Sequence, residues 1–237
     1  MLEITNSIVL LSILSYLVTL VSLPFVIHRS RIFGFVGRDV NKLEKPEVPE
    51  LGGLAGFFSI MITITLFVGI HKLYSSFSEY LYIVLFFSLL LSLTVGLIDD
   101  ITIMSRKLKA IIMVMPAIPV SISQVGDPVI NILNYYLLDF TDFPLFFWLV
   151  IVPIGITGSS NALNMSAGYN GLESGQFAII SFTLLLISFF DNTDISIKLI
   201  YSSIFGTSLA LYYYNKYPSR VFLGDIATLG FGALVAA

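Results

Sequence analysis

The sequence predicts an all-α polytopic membrane protein, a bundle of about eight transmembrane helices with the last incomplete, carrying a small external β-hairpin. Three observations predict it. Apolar residues make up 57% of the 237 residues and charged residues only 11%, against about 25% charged in soluble domains. The mean hydropathy is +0.93. Apolar segments recur at 6–27, 53–70, 80–98, 110–122, 144–163, 176–190, 196–214 and 227–237, most of them close to the roughly 20 residues that a helical span needs. Ten of the twelve Lys and Arg residues fall on one side when loops are assigned alternately from an external N-terminus, which is the inner bias of basic residues.

Each element follows in order. The first segment is too long for a cleavable signal and has basic residues after it rather than before it. It leads to an inner loop with Arg29, Arg31, Arg38, Lys42 and Lys45. A second inner loop, after the third segment, carries Arg106, Lys107 and Lys109. The fourth segment is short and holds Pro116 and Pro119, so it is expected to be tilted, kinked or shielded by its neighbours. In the external stretch 126–142, Val129-Ile130 and Tyr135 to Leu138 flank 131–134 in a hairpin pattern. The third inner loop, 161–175, has no basic residue, and the fourth carries Lys216 and Arg220. Outside remain Lys72 and Lys198 with Glu3, Glu79, Asp127, Asp139, Asp142, Asp191 and Asp194. The eighth segment reaches Ala237 before it could cross. No repeat is visible, and the absence of cysteine excludes disulfides and thiolate metal sites. Residues 1–237 read as a single transmembrane domain.

Four polar stretches carry the chemistry, each weighed against a bland reading. Asp99 and Asp100 close a long apolar run. They could merely mark a helix end. Yet carboxylates at a membrane boundary are costly unless paired or bound to something, and Arg106, Lys107 and Lys109 follow within one loop. Acids beside bases suit a magnesium ion and phosphates, since magnesium prefers hard oxygen ligands. The loop with Asn161, Asn164, Gly168, Asn170, Gly171 and Glu173 suits close backbone approach to a ligand and amide recognition; composition alone favours an ordinary turn. Asp225 before the last apolar run reads as a helix cap or a further metal ligand. The Pro-rich loop after Arg38 reads as a surface loop or part of a nucleotide-binding floor.

These stretches, in this order, resemble the polyprenyl-phosphate N-acetylhexosamine-1-phosphate transferase superfamily, and most closely the UDP-GlcNAc:dolichyl-phosphate GlcNAc-1-phosphate transferases. The likeness rests on GRDVNKLEKPEVPELGG (37–53), GLIDD (96–100), NALNMSAGYNGLESGQ (161–176) and NKYPSRVFLGD (215–225). It implies transfer of GlcNAc-1-phosphate from UDP-GlcNAc to a dolichyl or other polyprenyl phosphate, with release of UMP, as a first step of lipid-linked oligosaccharide synthesis for N-glycosylation. It also implies Mg2+, with Mn2+ as the alternative ion. Carried over by position, Asn164 and Asp225 match metal ligands, Asp99 and Asp100 the essential acidic pair, and Lys109 a lysine near the phosphates. Gly168 and Asn170 match positions near the uracil, and Val40 and Glu50 line the same pocket. Two departures are Ile103, where relatives place a polar residue, and Arg38, where they place an amide. Relatives continue into further spans and a His- and Arg-bearing loop, so the sequence reads as a C-terminally truncated member.

The expected partners are the nucleotide sugar, the lipid phosphate and the bilayer, with no nucleic acid; a homodimer is allowed. An archaeal plasma membrane is favoured over the endoplasmic reticulum membrane, with the N-terminus outside and the site cytosolic. Within the family the alternative is a user of UDP-MurNAc-pentapeptide or undecaprenyl phosphate. From another class it is an ion or solute transporter, which would place acids or broken helices near the membrane centre.

Overall fold

The computed structural model describes residues 2–74, 79–102, 104–132, 135–191 and 193–237. Ile103 lies outside the described residues, as do positions 133 and 134 of the expected hairpin. The chain runs through α1 (Leu2–Phe33), β1 (Val36–Arg38), β2 (Glu47–Pro49), α2 (Gly52–Tyr74), α3 (Glu79–Thr102), α4 (Arg106–Ile112) and α5 (Ala117–Ser123). It continues through β3 (Val129–Ile132), β4 (Tyr135–Asp139), α6 (Pro144–Phe146), a π-helical turn (Phe147–Ile151), α7 (Val152–Ser166), α8 (Leu172–Phe190), α9 (Ile195–Asn215) and α10 (Gly224–Ala236). Among the described residues, six helical runs are long and apolar enough to cross a membrane, by length and composition: Asn6–Phe33, Gly52–Gly69, Tyr80–Thr102, Pro144–Ser166, Leu172–Phe190 and Ile195–Asn215. The protein is an all-α polytopic membrane protein. Among the described residues the strands form two antiparallel pairs, β1 with β2 and β3 with β4. The second pair falls where the 126–142 pattern placed a hairpin. The first was read as loop, because Pro46 and Pro49 mask strands of three residues each.

The fourth apolar segment is not one span. It forms α4 and α5, seven residues each, with a turn between them. Pro116 has no N–H to continue the first helix. The carbonyls freed by the break find hydroxyl donors on neighbouring helices. Ser88 Oγ of α3 donates to the Pro116 carbonyl at 2.6 Å, and Thr157 Oγ1 of α7 donates to the Met113 carbonyl at 3.1 Å. Such donors are what allow a helix to break at membrane depth. Met113 and Ala117 are fully buried at the break.

Between α1, α2 and α9 the packing is polar and close. Ser12 donates to the Ser202 carbonyl at 3.0 Å, Ser59 donates to the Ser15 carbonyl at 2.8 Å, and the Thr63 and Ser203 hydroxyls share a 2.9 Å bond. Small hydroxyl residues of this kind let helices approach without leaving buried polar groups unpaired.

The last apolar segment forms the buried helix α10, whose residues from Ile226 through Leu234 are all buried. It packs against α2, α3 and α7. The contact with α3 depends on Gly96, where a Cβ would lie 2.6 Å from Ile226 Cα. We expect Gly96→Ala to lower unfolding stability by about 1–3 kcal/mol, the usual cost of overpacking, read as a fall in the thermal midpoint of the purified protein. Unchanged melting would show that the two helices can separate freely.

Candidate active site

Four helix ends meet at one place. Asp99 and Asp100 sit in the last turn of α3, Lys109 on α4, Asn164 near the end of α7, and Asp225 in the first turn of α10. The Lys109 ammonium bridges the Oδ2 atoms of Asp99 and Asp225. Asn164 Nδ2 donates to Asp225 Oδ1 and, at 2.8 Å, to Thr228 Oγ1. Asp99 Oδ1 also accepts from the Met104 backbone N–H at 2.7 Å, which closes the end of α3. Burial works against the Lys109 charge, but the hydrogen bonds to Asp225 and Asp99 outweigh it and hold the amine above the ordinary lysine range. Lys109 is therefore a fixed positive charge at neutral pH.

Asp100 has a different task. Its Oδ1 accepts from the Asp225 backbone N–H at 2.8 Å and its Oδ2 from the Ile226 N–H at 3.2 Å. A carboxylate from α3 thus caps α10, satisfying N–H groups that a helix start leaves unpaired and favouring its positive dipole end. The approach requires Gly224, whose φ is +76° and whose Cβ would fall 2.6 Å from Asp100 Oδ2. Asp225 is not the cap of its own helix. It is the residue whose position the cap fixes.

Beside this cluster the β1–β2 loop docks on the turn between α7 and α8. Asn41 Nδ2 donates to the Gly168 carbonyl at 2.6 Å, and Asn170 Nδ2 donates to Asp39 Oδ2 at 3.0 Å. Lys42 Nζ pairs with Asp39 at 2.9 Å. The Lys42 hydrogen bond holds the Asp39 carboxyl below the usual range against the effect of its enclosure, and Asn170 adds to it. Asn215 ties the turn to the end of α9: its Oδ1 accepts from the Gly171 N–H at 3.0 Å and from Ser174 Oγ at 3.1 Å. These contacts frame a cleft of about 290 Å³ whose walls include Asp39, Val40, Gly168, Asn170, Glu173 and Phe222.

The structure therefore gathers Asp99, Asp100, Lys109, Asn164 and Asp225 into one cluster, and Val40, Gly168 and Asn170 around one adjoining cleft. Glu50 is the exception, since it does not line the cleft. It stands against Gly37 and Phe222, and burial, then the Asp225 charge, push its carboxyl above the usual range. Phe222 of the cleft wall lies on the same short stretch as Asp225, so cleft and cluster adjoin. Asp39, Asn41, Asn215 and Thr228 were not singled out by sequence. The first three lay within the quoted stretches, and only their partners across the fold reveal their use. Asn161 and Asn164 were expected in a loop but belong to α7, and the loop is limited to the residues between Ser166 and Leu172.

The donor set can be tested for a divalent cation. Asp99 and Asp225 offer hard oxygens and already share one cation, the Lys109 ammonium. A half-turn of the Asn164 amide would present its oxygen in place of its nitrogen without changing the side chain's shape. No group of three or more His, Cys, Asp or Glu with metal-holding geometry occurs among the described residues. The residues fit a magnesium-type ion held by one or two carboxylates and completed by substrate phosphate.

Residues 81–237 match glycosyl transferase family 4. A Saccharolobus solfataricus protein named "Putative UDP-N-acetylglucosamine--dolichyl-phosphate N-acetylglucosaminephosphotransferase" is 31% identical over 234 residues, which is 95% of this chain and 68% of that protein. A Sulfolobus acidocaldarius protein of the same name is 32% identical over 239 residues, 97% of this chain and 70% of that protein. The phospho-N-acetylmuramoyl-pentapeptide-transferase of Streptococcus mutans is 24% identical over 250 residues, again 97% and 70%.

Proposed function

The chain belongs to glycosyl transferase family 4, and from that premise we propose that it transfers N-acetylglucosamine-1-phosphate from UDP-GlcNAc to a polyprenyl phosphate of the dolichyl type, releasing UMP, at the cytosolic face of the membrane. The observation that supports this best is the pairing of a polar cleft of about 290 Å³ with an adjoining cluster of one ammonium and two carboxylates. A transporter of small ions has no use for the cleft, and the clustered acids lie at helix ends rather than at mid-span.

In this reading an oxygen of the lipid phosphate attacks the phosphorus nearer the sugar. A new P–O bond forms, the bond from that phosphorus to the bridging oxygen breaks, and its electron pair leaves with UMP. The lipid phosphate monoester has a second pKa near about 6 and is largely ionised at neutral pH, so no strong base is needed. Positioning and charge neutralisation carry most of such a reaction. Lys109 supplies fixed positive charge for the phosphate oxygens. Asp99 orients Lys109 in the resting cluster and serves as the acceptor of any proton the lipid phosphate still holds. Mg2+, or Mn2+, bound by Asp225 with Asn164 would supply further neutralisation of the diphosphate charge. Asn170, Gly168 and Val40 hold the nucleoside end.

The direct test is UMP release by the purified protein from UDP-GlcNAc and dolichyl phosphate, with Mg2+ and with EDTA. Release that depends on both substrates and on the ion is expected; nucleotide-independent behaviour would sink the reading. The Streptococcus mutans relative favours a parallel arm with UDP-MurNAc-pentapeptide and undecaprenyl phosphate, and faster turnover there would reassign the sugar and lipid. A binding prediction accompanies it. Asn170→Asp sets a second carboxylate against Asp39, now 3.0 Å from the amide nitrogen. UDP-GlcNAc affinity should fall by about tenfold, or 1.4 kcal/mol, by calorimetric titration, and unaltered affinity would detach this loop contact from nucleotide binding.

A further inference from the structure

Every carboxylate oxygen in the cluster has a partner, and the pattern of partners is informative. Both oxygens of Asp100 are spent on the backbone of α10. Asp99 Oδ1 holds the Met104 N–H and Asp225 Oδ1 holds Asn164. What remains are the two Oδ2 atoms, and both contact the same Lys109 nitrogen. A divalent ion that uses both of these oxygens competes with the ammonium for the space between them. We propose that Lys109 is an exchangeable internal cation: it occupies the space between Asp99 and Asp225 in the metal-free protein, and on cation binding it swings out to engage the diphosphate of the nucleotide sugar. The second half rests on the function proposed above.

The charges make the exchange a coupled one. Two carboxylates and one ammonium carry a net charge of about −1, whereas two carboxylates with a divalent ion are about neutral. The released ammonium then has no carboxylate partner in the cluster, and a dianionic diphosphate restores one. Lysine suits the movement, being a point charge on a flexible four-carbon stem. Its side chain is only 16% exposed in the paired state, so leaving that state changes its surroundings measurably. It follows that the ion and the nucleotide sugar bind cooperatively, and that the cooperativity runs through Lys109.

The test uses Mn2+ as the probe, with binding followed by electron paramagnetic resonance on the full chain in detergent. Without nucleotide, Lys109→Gln should bind Mn2+ at least tenfold more tightly than the unaltered protein, because the competing ammonium is gone. Lys109→Arg, which keeps a cation in place, should bind no more tightly. UDP-GlcNAc should raise the Mn2+ affinity of the unaltered protein, and that gain should shrink at least tenfold in Lys109→Gln. Equal or weaker Mn2+ binding by Lys109→Gln overturns the proposal. Should that variant fail to fold, acetylation of Lys109 in the unaltered protein, read by mass spectrometry, decides the matter. Magnesium should accelerate it relative to sodium at equal ionic strength, and an unchanged or slower rate overturns the exchange. If Mn2+ binding behaves as expected while UDP-GlcNAc has no effect on any variant, the cation exchange stands and the nucleotide-sugar reading falls.

Discussion

Asp225→Asn will lower the transfer rate by about 10²–10³-fold, the scale seen when one preorganised charge-stabilising contact is lost from a reacting centre. Asp225 is the residue on which α4, α7 and α10 converge: Lys109 and Asn164 both bind its carboxylate. An asparagine has one acceptor oxygen and a donor nitrogen in place of two charged acceptors. Its oxygen can serve Lys109 while its amide meets Asn164 only after Asn164 turns round and gives up its present bonds, and it removes half of the negative charge that holds the ammonium. The fold should survive, since α10 is capped through the Asp225 backbone N–H, which asparagine keeps. Lys109 also retains Asp99. The measurement is UMP release at saturating substrates beside a thermal melt. Activity within tenfold of the unaltered protein would remove Asp225 from the reacting centre.

The distinction between side chain and backbone also explains what could be read from the sequence. Residue types with a strong local preference were legible. Apolar segments longer than a soluble core helix needs gave six of the spans. The adjacent acids at 99 and 100 stood out because carboxylates are expensive at a membrane boundary. The Asn and Gly residues at 164, 168, 170 and 171 stood out against apolar flanks. Relations between distant residues were not legible. Nothing near Asp100 in sequence shows that its acceptors serve N–H groups 125 and 126 residues away. Asp39 and Asn41 flank Val40, yet only their bonds to Asn170 and Gly168 reveal that they dock one loop on another. Asn161 and Asn164 looked like loop residues because Asn is a poor helix former. Asn161 Nδ2 instead bonds back to the Thr157 carbonyl one turn earlier in α7 at 2.8 Å, and tertiary contacts with Asp225 and Thr228 hold Asn164. Pro116 and Pro119 predict a tilted, kinked or shielded segment, but the hydroxyls of Ser88 and Thr157 that make the break tolerable come from other helices.

The adjacent acids are expected to fail differently, and the second prediction follows from that. Asp100→Asn should lower both thermal stability and turnover. Asparagine must turn its NH2 toward one of the two N–H groups that the carboxylate now accepts, which leaves a buried donor unpaired at a cost of about 1–3 kcal/mol. The loss of negative charge at the start of α10 adds about 0.3–1 kcal/mol. Asp225 sits in that first turn, so a loosened cap displaces the residue that receives Lys109 and Asn164. Gly224→Ala provides the control, because it leaves Asp100 chemically intact. Its Cβ would press on Asp100 Oδ2, and φ of +76° strains any side chain there. It should therefore reproduce both losses. The double variant should be little worse than the worse single one, as expected for two changes that act through a shared contact. If instead Asp100→Asn lost activity at unchanged melting temperature, while Gly224→Ala kept full turnover, Asp100 would act on substrate and not through α10.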